Sequence, residues 1–420
     1  MKNFTTLARR SVYLAVWVAT AGLHGCGDSD ARQEVSSPDD FKHAHVLADE
    51  YQQAGDVLDQ PADSEIFALS STSPNLSSGW TPQQFLEAYN VPTTGANGKP
   101  PGYGIKIAII TAYHYSNLQY DLNKWASYFS ARPITLNIIN QAGKVTNSNF
   151  ALATCLAVQM VNAVSPGATV YVIEAKSATR TDISTAIKTA VNLGVNIVSM
   201  PFGAQETSRD GELAHLFLNS NIAFIAATGN NDTVQFPASH PDVIAVGGTT
   251  PSAVNPLVET AWPSTGAGMS LYESMPSYQM IPAVQKANTT THRSIPDLAF
   301  NADPQQGVQV YNSIIGGWIL IGGTSVSTAF FTSTVAIADQ ARKAVNKPML
   351  NSIHTSPYSI QRGLYGLMPA NGGPSSSAVL NDVEVGYAGG GSYPAGPGYD
   401  IATGLGSLDV EKFVESMTNL

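Results

Sequence analysis

The feature that most constrains the fold is an alternation of short, uninterrupted apolar runs with longer helical segments. Five such runs occupy positions 105–111, 169–173, 195–200, 222–227 and 243–246. Apolar runs of this length are typical of strands buried on both faces. Helices are predicted over 150–164 and 182–193, the second with Asp182 as a possible N-cap and Gly194 just past its end. The alternation predicts an α/β fold with a doubly wound, mostly parallel sheet and helices on both faces.

Length and charge narrow the class of protein further. The chain has 420 residues, 43% of them hydrophobic, which is enough to bury a large core. Its 21 Lys and Arg residues against 31 Asp and Glu residues give a net charge of -10. A chain with this balance has no basic field to gather nucleic acid, so we expect no nucleic-acid partner.

The first residues follow the order of a secretory signal. Lys2, Arg9 and Arg10 are basic, and an apolar run follows over 11–23. The run is shorter than the roughly 20 residues that a membrane-spanning helix needs. It ends in Leu-His-Gly-Cys, which resembles the bacterial lipobox, in which the cysteine becomes a diacylated N-terminus. We therefore expect Cys26 to be lipidated, the alternative being an ordinary signal with a chance cysteine.

These features predict three regions of the chain. Residues 1–26 are the signal peptide with its lipobox, residues 27–78 form a polar tether and N-terminal extension, and residues 79–420 form the folded domain. The protein is then exported and held in the bacterial cell envelope by its lipid anchor. The other cysteine, Cys155, has no partner left to pair with and is predicted to be a buried, inert thiol.

Several segments, in order along the chain, resemble the sedolisin family, the serine-carboxyl peptidases built on a subtilisin-like fold. The strongest of them is GGTSVSTAF at 322–330. The others lie at 80–92, 102–117, 150–178, 182–203, 222–232, 236–250 and 293–304. The resemblance implies a subtilisin-like fold and a serine-peptidase ancestry for the domain.

The GGTSVS segment is suited to holding a nucleophile. Glycines allow a tight turn before a helix, and the amides and dipole at the N-terminus of the helix help to stabilise an oxyanion. By resemblance, Ser325 occupies the nucleophile position and Asn230 the oxyanion position, where sedolisins place an Asp. The alternative for the segment is a helix cap without any chemistry.

The carboxylates that would activate Ser325 are missing from the sequence. Sedolisins carry a Glu and, four residues later, an Asp on one helix, a spacing that puts both on one helical face. The resemblance places these two positions at Ala153 and Ala157. A methyl group can neither accept a proton nor orient a base. The subtilisin arrangement is missing too, because Thr111 stands where that family has its Asp.

Two functions therefore remain open. The first is an inactive pseudopeptidase, whose cleft binds a peptide or protein in the envelope without cutting it. The second is an active serine endopeptidase that uses Ser325 with a rearranged base, for which His114 and Asp121 are candidates and Glu174 a less favoured one. A general base must come within hydrogen-bond reach of the serine.

The C-terminal segments NDVEVG and YPAGPGYDIATGLGSLD resemble the calcium site of the same family. Calcium favours hard oxygen ligands from carboxylates and carbonyls. The resemblance implies one calcium ion, held by Asp382, the carbonyls of Val383, Gly396 and Gly398, and Asp400. The alternative is a glycine-rich turn with solvated aspartates.

Overall fold

A computed structural model describes residues 79–219 and 221–420. The predictions for the signal peptide, for Cys26 and for the tether at 27–78 lie outside these residues. No helix within the described ranges is both long enough and apolar enough to cross a bilayer.

The centre of the domain is an eight-stranded sheet in the order β12-β8-β6-β4-β1-β3-β2, with β9 paired to β8. Its strands are β1 Lys106–Ala112, β2 Leu136–Asn140, β3 Thr169–Ala175, β4 Ile197–Met200, β6 Ala223–Ala227, β8 Ile244–Val254, β9 Leu257–Ala261 and β12 Leu298–Asn301. Every pairing is parallel except that of β8 with β9. The predicted doubly wound, mostly parallel sheet is confirmed.

Both faces of the sheet are buried, as the apolar runs predict. Along β1, Ile107 and Ile109 belong to one hydrophobic cluster, whereas Ala108 and Ile110 belong to a second cluster. Successive side chains of a strand point to opposite faces, so the two clusters lie on opposite sides of the sheet. Each face is therefore covered by its own layer.

Eight α-helices surround the sheet in the described part of the chain. They are α1 Pro82–Ala88, α2 Leu118–Tyr128, α3 Ser148–Val164, α4 Arg180–Asn192, α5 Pro282–Ala287, α6 Thr324–Ala344, α7 Ile360–Tyr365 and α8 Val410–Asn419. The first cluster contains the buried residues of α3 and α6, and the second contains those of α4. Helices therefore lie on both faces.

The start of α4 differs from the sequence prediction. We expected Asp182 as the N-cap, but the N-cap is Thr179, whose hydroxyl accepts a hydrogen bond from the amide of Asp182. Asp182 instead lies in the first turn, where its charge favours the positive end of the helix dipole. Thr and Asp are both favoured at the start of a helix, so the sequence alone did not show whether Thr179 or Asp182 is the N-cap.

The remaining strands form small two-stranded sheets outside the central one. They are β5 Ala204–Gln205, β7 Gln235–Phe236, β10 Gly268–Ser274, β11 His292–Ile295, β13 Val308–Asn312, β14 Gly317–Ile321, β15 Leu380–Asn381, β16 Tyr387–Ala388, β17 Tyr393–Pro394 and β18 Ser407–Leu408. All five pairs are antiparallel.

Candidate active site and calcium site

Ser325 is the second residue of α6, which begins at Thr324 directly after two glycines. Gly323 has a φ of 105°, in the region that favours glycine. A Cβ atom at this residue would come within 2.8 Å of Asn230 Nδ2. The tight turn predicted from GGTSVS is therefore present, and it requires a glycine beside Asn230.

The hydroxyl of Ser325 is hydrogen-bonded to backbone and not to a base. Its Oγ donates to the carbonyl oxygen of Pro201, which directly follows β4, over 2.8 Å. The residue is only 5% exposed. Among the described residues, no carboxylate or imidazole hydrogen-bonds this oxygen. A peptide carbonyl can accept a hydrogen bond but cannot take up the proton that a nucleophilic serine must lose.

Asn230 joins the turn after β6 to the start of α6. Its Oδ1 accepts hydrogen bonds from the amide of Thr324 at 2.9 Å and from the Thr324 hydroxyl at 3.0 Å. The same hydroxyl accepts a bond from the amide of Gly229 at 3.2 Å. These bonds fix the side chain of Asn230, with its Nδ2 end beside Gly323. The predicted oxyanion residue is thus next to the predicted nucleophile in space.

The first of the two alanines of α3 borders a small apolar space near Ser325. Ala153 lines a cavity of about 10 Å³ together with Pro201, whose carbonyl holds Ser325. This is about the room that one water molecule needs. Ala157, one turn further along, is fully buried. Around the cavity there is no charged side chain.

The hydroxyls in the wall of this cavity are already bonded to each other. Thr111 Oγ1 and Thr154 Oγ1 lie 2.7 Å apart, and Thr154 Oγ1 donates to the carbonyl of Phe150 at 2.6 Å. The hydrogen of Thr154 is thus used within its own helix, and Thr111 donates to Thr154 in turn. The wall therefore offers Ser325 no proton acceptor.

The candidates for a rearranged base are bonded elsewhere. Glu174 is fully buried, with its Oε2 at 2.6 Å from His114 Nδ1 and its Oε1 accepting from the amide of Tyr115 at 3.0 Å. These are structural hydrogen bonds at the end of β3. Neither Glu174 nor His114 hydrogen-bonds Ser325.

Asp121, the remaining candidate, belongs to a separate buried cluster. Its Oδ2 accepts from the hydroxyl of Tyr115 and from the amide of Ser313. The thiol of Cys155 lies 3.7 Å from the same oxygen, and Asn312 Nδ2 lies 3.4 Å from that sulfur. Burial raises the pKa of Cys155 well above its usual value, so the thiol stays protonated. Cys155 is thus buried as predicted.

The C-terminal residues assigned to calcium converge on one turn. The amide of Gly398 donates to Asp382 Oδ2 at 2.6 Å, and the amide of Gly396 donates to Asp400 Oδ2 at 3.0 Å. Both carboxylates therefore contact the same Gly-Pro-Gly turn from different parts of the chain. Burial raises the pKa of Asp400 to about 6, because no cationic side chain offsets the loss of solvation.

The carbonyl groups of the site fit a hard cation as well. In the described part of the chain, no hydrogen bond reaches the carbonyl oxygen of Val383, Gly396 or Gly398. Val383 and Gly398 are buried, where an unbonded carbonyl is costly. Within the described ranges no group of three His, Cys, Asp or Glu side chains could hold a metal, so a calcium ion here would also need carbonyl ligands. Two carboxylates with three free carbonyls match the ligands that calcium favours.

Two contributors to the active site were not foreseen in the sequence. Pro201 supplies the hydrogen-bond acceptor of Ser325, and Thr324 links Asn230 to α6. Pro201 could have been suspected, since it follows a buried strand and ligands of parallel sheets collect at the carboxyl ends of strands. A backbone carbonyl, however, leaves no residue-type signal.

Comparisons with known proteins agree with this geometry. The family model described as the subtilase family matches residues 138–362, which is more than half of the chain. The chain therefore belongs to the subtilase family.

Two relatives indicate which members of that family the chain resembles. The chain is 34% identical over 199 residues to sedolisin from Pseudomonas sp. (strain 101), covering 44% of this chain and 30% of that protein. It is 30% identical over 283 residues to kumamolisin from Bacillus sp. (strain MN-32), covering 60% and 48%. The chain thus spans less than half the length of these relatives.

A solved structure supports the fold. The structure of Pseudomonas sedolisin, a serine-carboxyl proteinase complexed with two molecules of pseudo-iodotyrostatin, matches with a TM-score of 0.66 at 24% identity. The match covers 80% of this chain and 97% of that one. It confirms the predicted subtilisin-like fold, and the sequence relatives agree with the predicted resemblance to sedolisins.

Proposed function

We propose that this chain is a pseudopeptidase, which binds a peptide or protein segment in the cleft beside Ser325 and does not cleave it. The observation that carries the proposal is the partner of Ser325 Oγ, the carbonyl of Pro201. A serine hydroxyl needs a base to become a nucleophile, and that base must itself be oriented. Here the hydroxyl bonds the backbone carbonyl of Pro201, a residue that also lines the apolar cavity.

The resemblance to sedolisins indicates at which two positions the expected carboxylates are missing. The family's Glu and Asp fall at Ala153 and Ala157, and the first of these lines the cavity beside Pro201. His114 and Asp121 are engaged with Glu174 and Ser313, respectively, and so do not replace the pair. The turn at Gly323 and the Asn230 amide remain, which favours a cleft that keeps its shape without its proton acceptor.

Binding without cleavage can be tested directly. The purified protein is mixed with a library of unmodified synthetic peptides, and the retained peptides are separated by gel filtration and identified by mass spectrometry. We expect retained peptides of full length that slow hydrogen exchange in segments 197–203 and 228–232, on either side of Ser325. Shortened peptides, or peptides that protect neither segment, would contradict the proposal.

We also propose that Asp382 and Asp400, with the carbonyls of Val383, Gly396 and Gly398, hold one calcium ion. The convergence of both carboxylates on one turn and the unbonded carbonyls support this site. A bound calcium ion would join segments that are distant along the chain by attracting oxygens from both. It would have a structural role, remote in sequence from the residues that contact Ser325.

The proposed place of action is the bacterial cell envelope, with Cys26 as the site of lipid attachment. The basic start, the short apolar run and the Leu-His-Gly-Cys sequence support it. Mass spectrometry of membrane fractions should find a diacylated N-terminal Cys26, and Cys26→Ala should release the protein from the membrane. A mature N-terminus at another residue, without lipid, would contradict this part of the proposal.

A further inference from the structure

A small hairpin lies between the two halves of the proposed calcium site. It consists of β16, β17 and the tip Gly389–Gly391, and we call it the glycine hairpin. Asp382 and Val383 precede it along the chain, and the Gly-Pro-Gly turn with Asp400 follows it. The three glycines of the tip have φ values of 58°, 59° and 97°, all in the region that favours glycine.

The tip of the glycine hairpin reaches the turn that carries Asn230. A Cβ atom on Gly390 would lie 2.6 Å from Asp232 Oδ2, so backbone and carboxylate are in close contact. Asp232 is two residues beyond Asn230. A second approach lies nearby, where a Cβ atom on Gly268 would be 2.9 Å from Val234 Cγ2 and 3.3 Å from Tyr393 Oη. The hairpin therefore meets the 230–234 segment at Gly390, and Gly268 of β10 lies beside both Val234 and Tyr393.

The glycine hairpin has little structure of its own to keep it in this place. Its strands pair through two residues each, and its tip is exposed at Gly390 and Gly391. Isolated two-stranded hairpins are marginal in water. Its base is fixed by two backbone bonds, from Ala395 to Gly386 at 3.0 Å and from Ala261 to Val385 at 2.8 Å. Ala388 is also fully buried in the core. The exposed tip is therefore the part of the hairpin that the calcium ligands on either side can restrain.

We propose that calcium bound between Asp382 and Asp400 positions the glycine hairpin against Asp232 and thereby holds the Asn230 turn. Without the ion, the oxygens at the two ends of the segment lose their common partner, which loosens the tip. Asn230 in turn fixes the amide of Thr324 beside Ser325. Calcium occupancy is thus coupled to the order of the cleft. This inference rests on the calcium site proposed above.

Coupling between two sites is reciprocal, so it can be measured without any peptidase activity. The first test is amide hydrogen exchange of the purified protein in calcium chloride and in EDTA. We expect calcium to slow exchange about fivefold or more in segment 386–395 and also in segment 228–236. Protection of segment 386–395 alone would overturn the coupling.

The second test changes the contact between the tip and Asp232. In Gly390→Ala the new Cβ displaces the carboxylate, so we expect the Kd for calcium, measured by titration calorimetry, to rise about fivefold. Gly391→Ala is the matched control, because its φ is also positive but a Cβ there meets nothing within 4 Å. Its Kd should stay near that of the unaltered protein. Asp232→Ala alone removes the same contact without backbone strain and should raise the Kd by a similar factor.

The outcomes separate this inference from the proposals it builds on. Equal losses of calcium affinity in Gly390→Ala and Gly391→Ala would show that backbone strain, and not the contact with Asp232, is responsible. A protein that binds no calcium would overturn both the calcium site and the coupling. Normal calcium binding with an unaffected Asn230 turn would overturn the coupling alone.

Discussion

The cleft at Ser325 and the C-terminal turn at Gly396–Gly398 are built in a similar way but differ in their side chains. In both, a glycine turn brings backbone groups close to polar residues. At the C-terminal turn two carboxylates contact the backbone amides. At Ser325 the predicted carboxylate positions are Ala153 and Ala157, and the hydroxyl faces a carbonyl.

This difference separates the shape of a site from its chemistry. The turn at Gly323 and the bonds of Asn230 to Thr324 depend on backbone conformation and one amide side chain, and they persist without any carboxylate on α3. Proton transfer depends on a titratable group within hydrogen-bond reach of the serine. A chain can therefore keep the backbone shape of a site after it has lost the group that transfers the proton.

The strongest way to test this contrast is to put a carboxylate back on α3. Ala157 is fully buried among apolar residues, and a charge there would have no cationic partner. We expect Ala157→Asp to lower the free energy of unfolding by about 3 kcal/mol or more, measured by denaturant titration. Ala163→Asp, on the same helix but only half-buried, should cost less. A variant as stable as the unaltered protein would show that the site still accommodates the acid.

Removal of calcium should have the next largest effect. An ion that binds only the folded state stabilises it by about 2.7 kcal/mol when its free concentration is about 100 times its Kd. Chelation should therefore lower the Tm, and Asp400→Asn should abolish this sensitivity. Glu415→Gln, which changes an exposed carboxylate of α8 outside the ligand set, is the control and should keep it. Identical melting curves with and without chelator would contradict the proposed calcium site.

A smaller effect concerns a carboxylate on the nucleophile's own helix. Burial raises the pKa of Asp339 from 3.8 to about 7, with one oxygen bonded to the amide of Leu350 at 2.8 Å. The folded state then binds more protons than the unfolded state between these two values. Stability should fall as pH rises through this range, by at most about 1.4 kcal/mol per pH unit.

Asp339→Asn isolates this contribution. The amide side chain keeps an oxygen for Leu350 and cannot ionise, so the stability of the variant should vary less with pH. Denaturant midpoints measured across the range provide the comparison. Equal slopes for the variant and the unaltered protein would show that Asp339 is ionised in the folded state.

The sheet could be predicted from sequence because its strands are buried on both faces. Runs such as 222–227 contain few polar residues, so they are distinct from the surface helices beside them. The Gly-Gly-Thr-Ser turn was predictable for a related reason, since a positive φ at Gly323 demands a particular residue type.

Other parts of the molecule left no such pattern. The partner of Ser325 is a backbone carbonyl, which any residue at position 201 could supply. The glycine hairpin has strands of two residues, too short for a periodicity to show. The N-cap of α4 was misplaced because both Thr179 and Asp182 suit a helix start. Of these three, the bond of Ser325 to Pro201 joins segments that are distant along the chain.

The central claim is that Ser325 has no base, and the most direct test is hydrolysis of a broad peptide library at acid and neutral pH. The unaltered protein, Ser325→Ala and the control Ser327→Ala should all leave the peptides intact, since loss of triad members costs on the order of 10⁴-fold in rate. Ser327 lies on the same helix and bonds the carbonyl of Phe300. Cleavage by the unaltered protein and by Ser327→Ala, abolished in Ser325→Ala, would show that a rearranged base activates the serine.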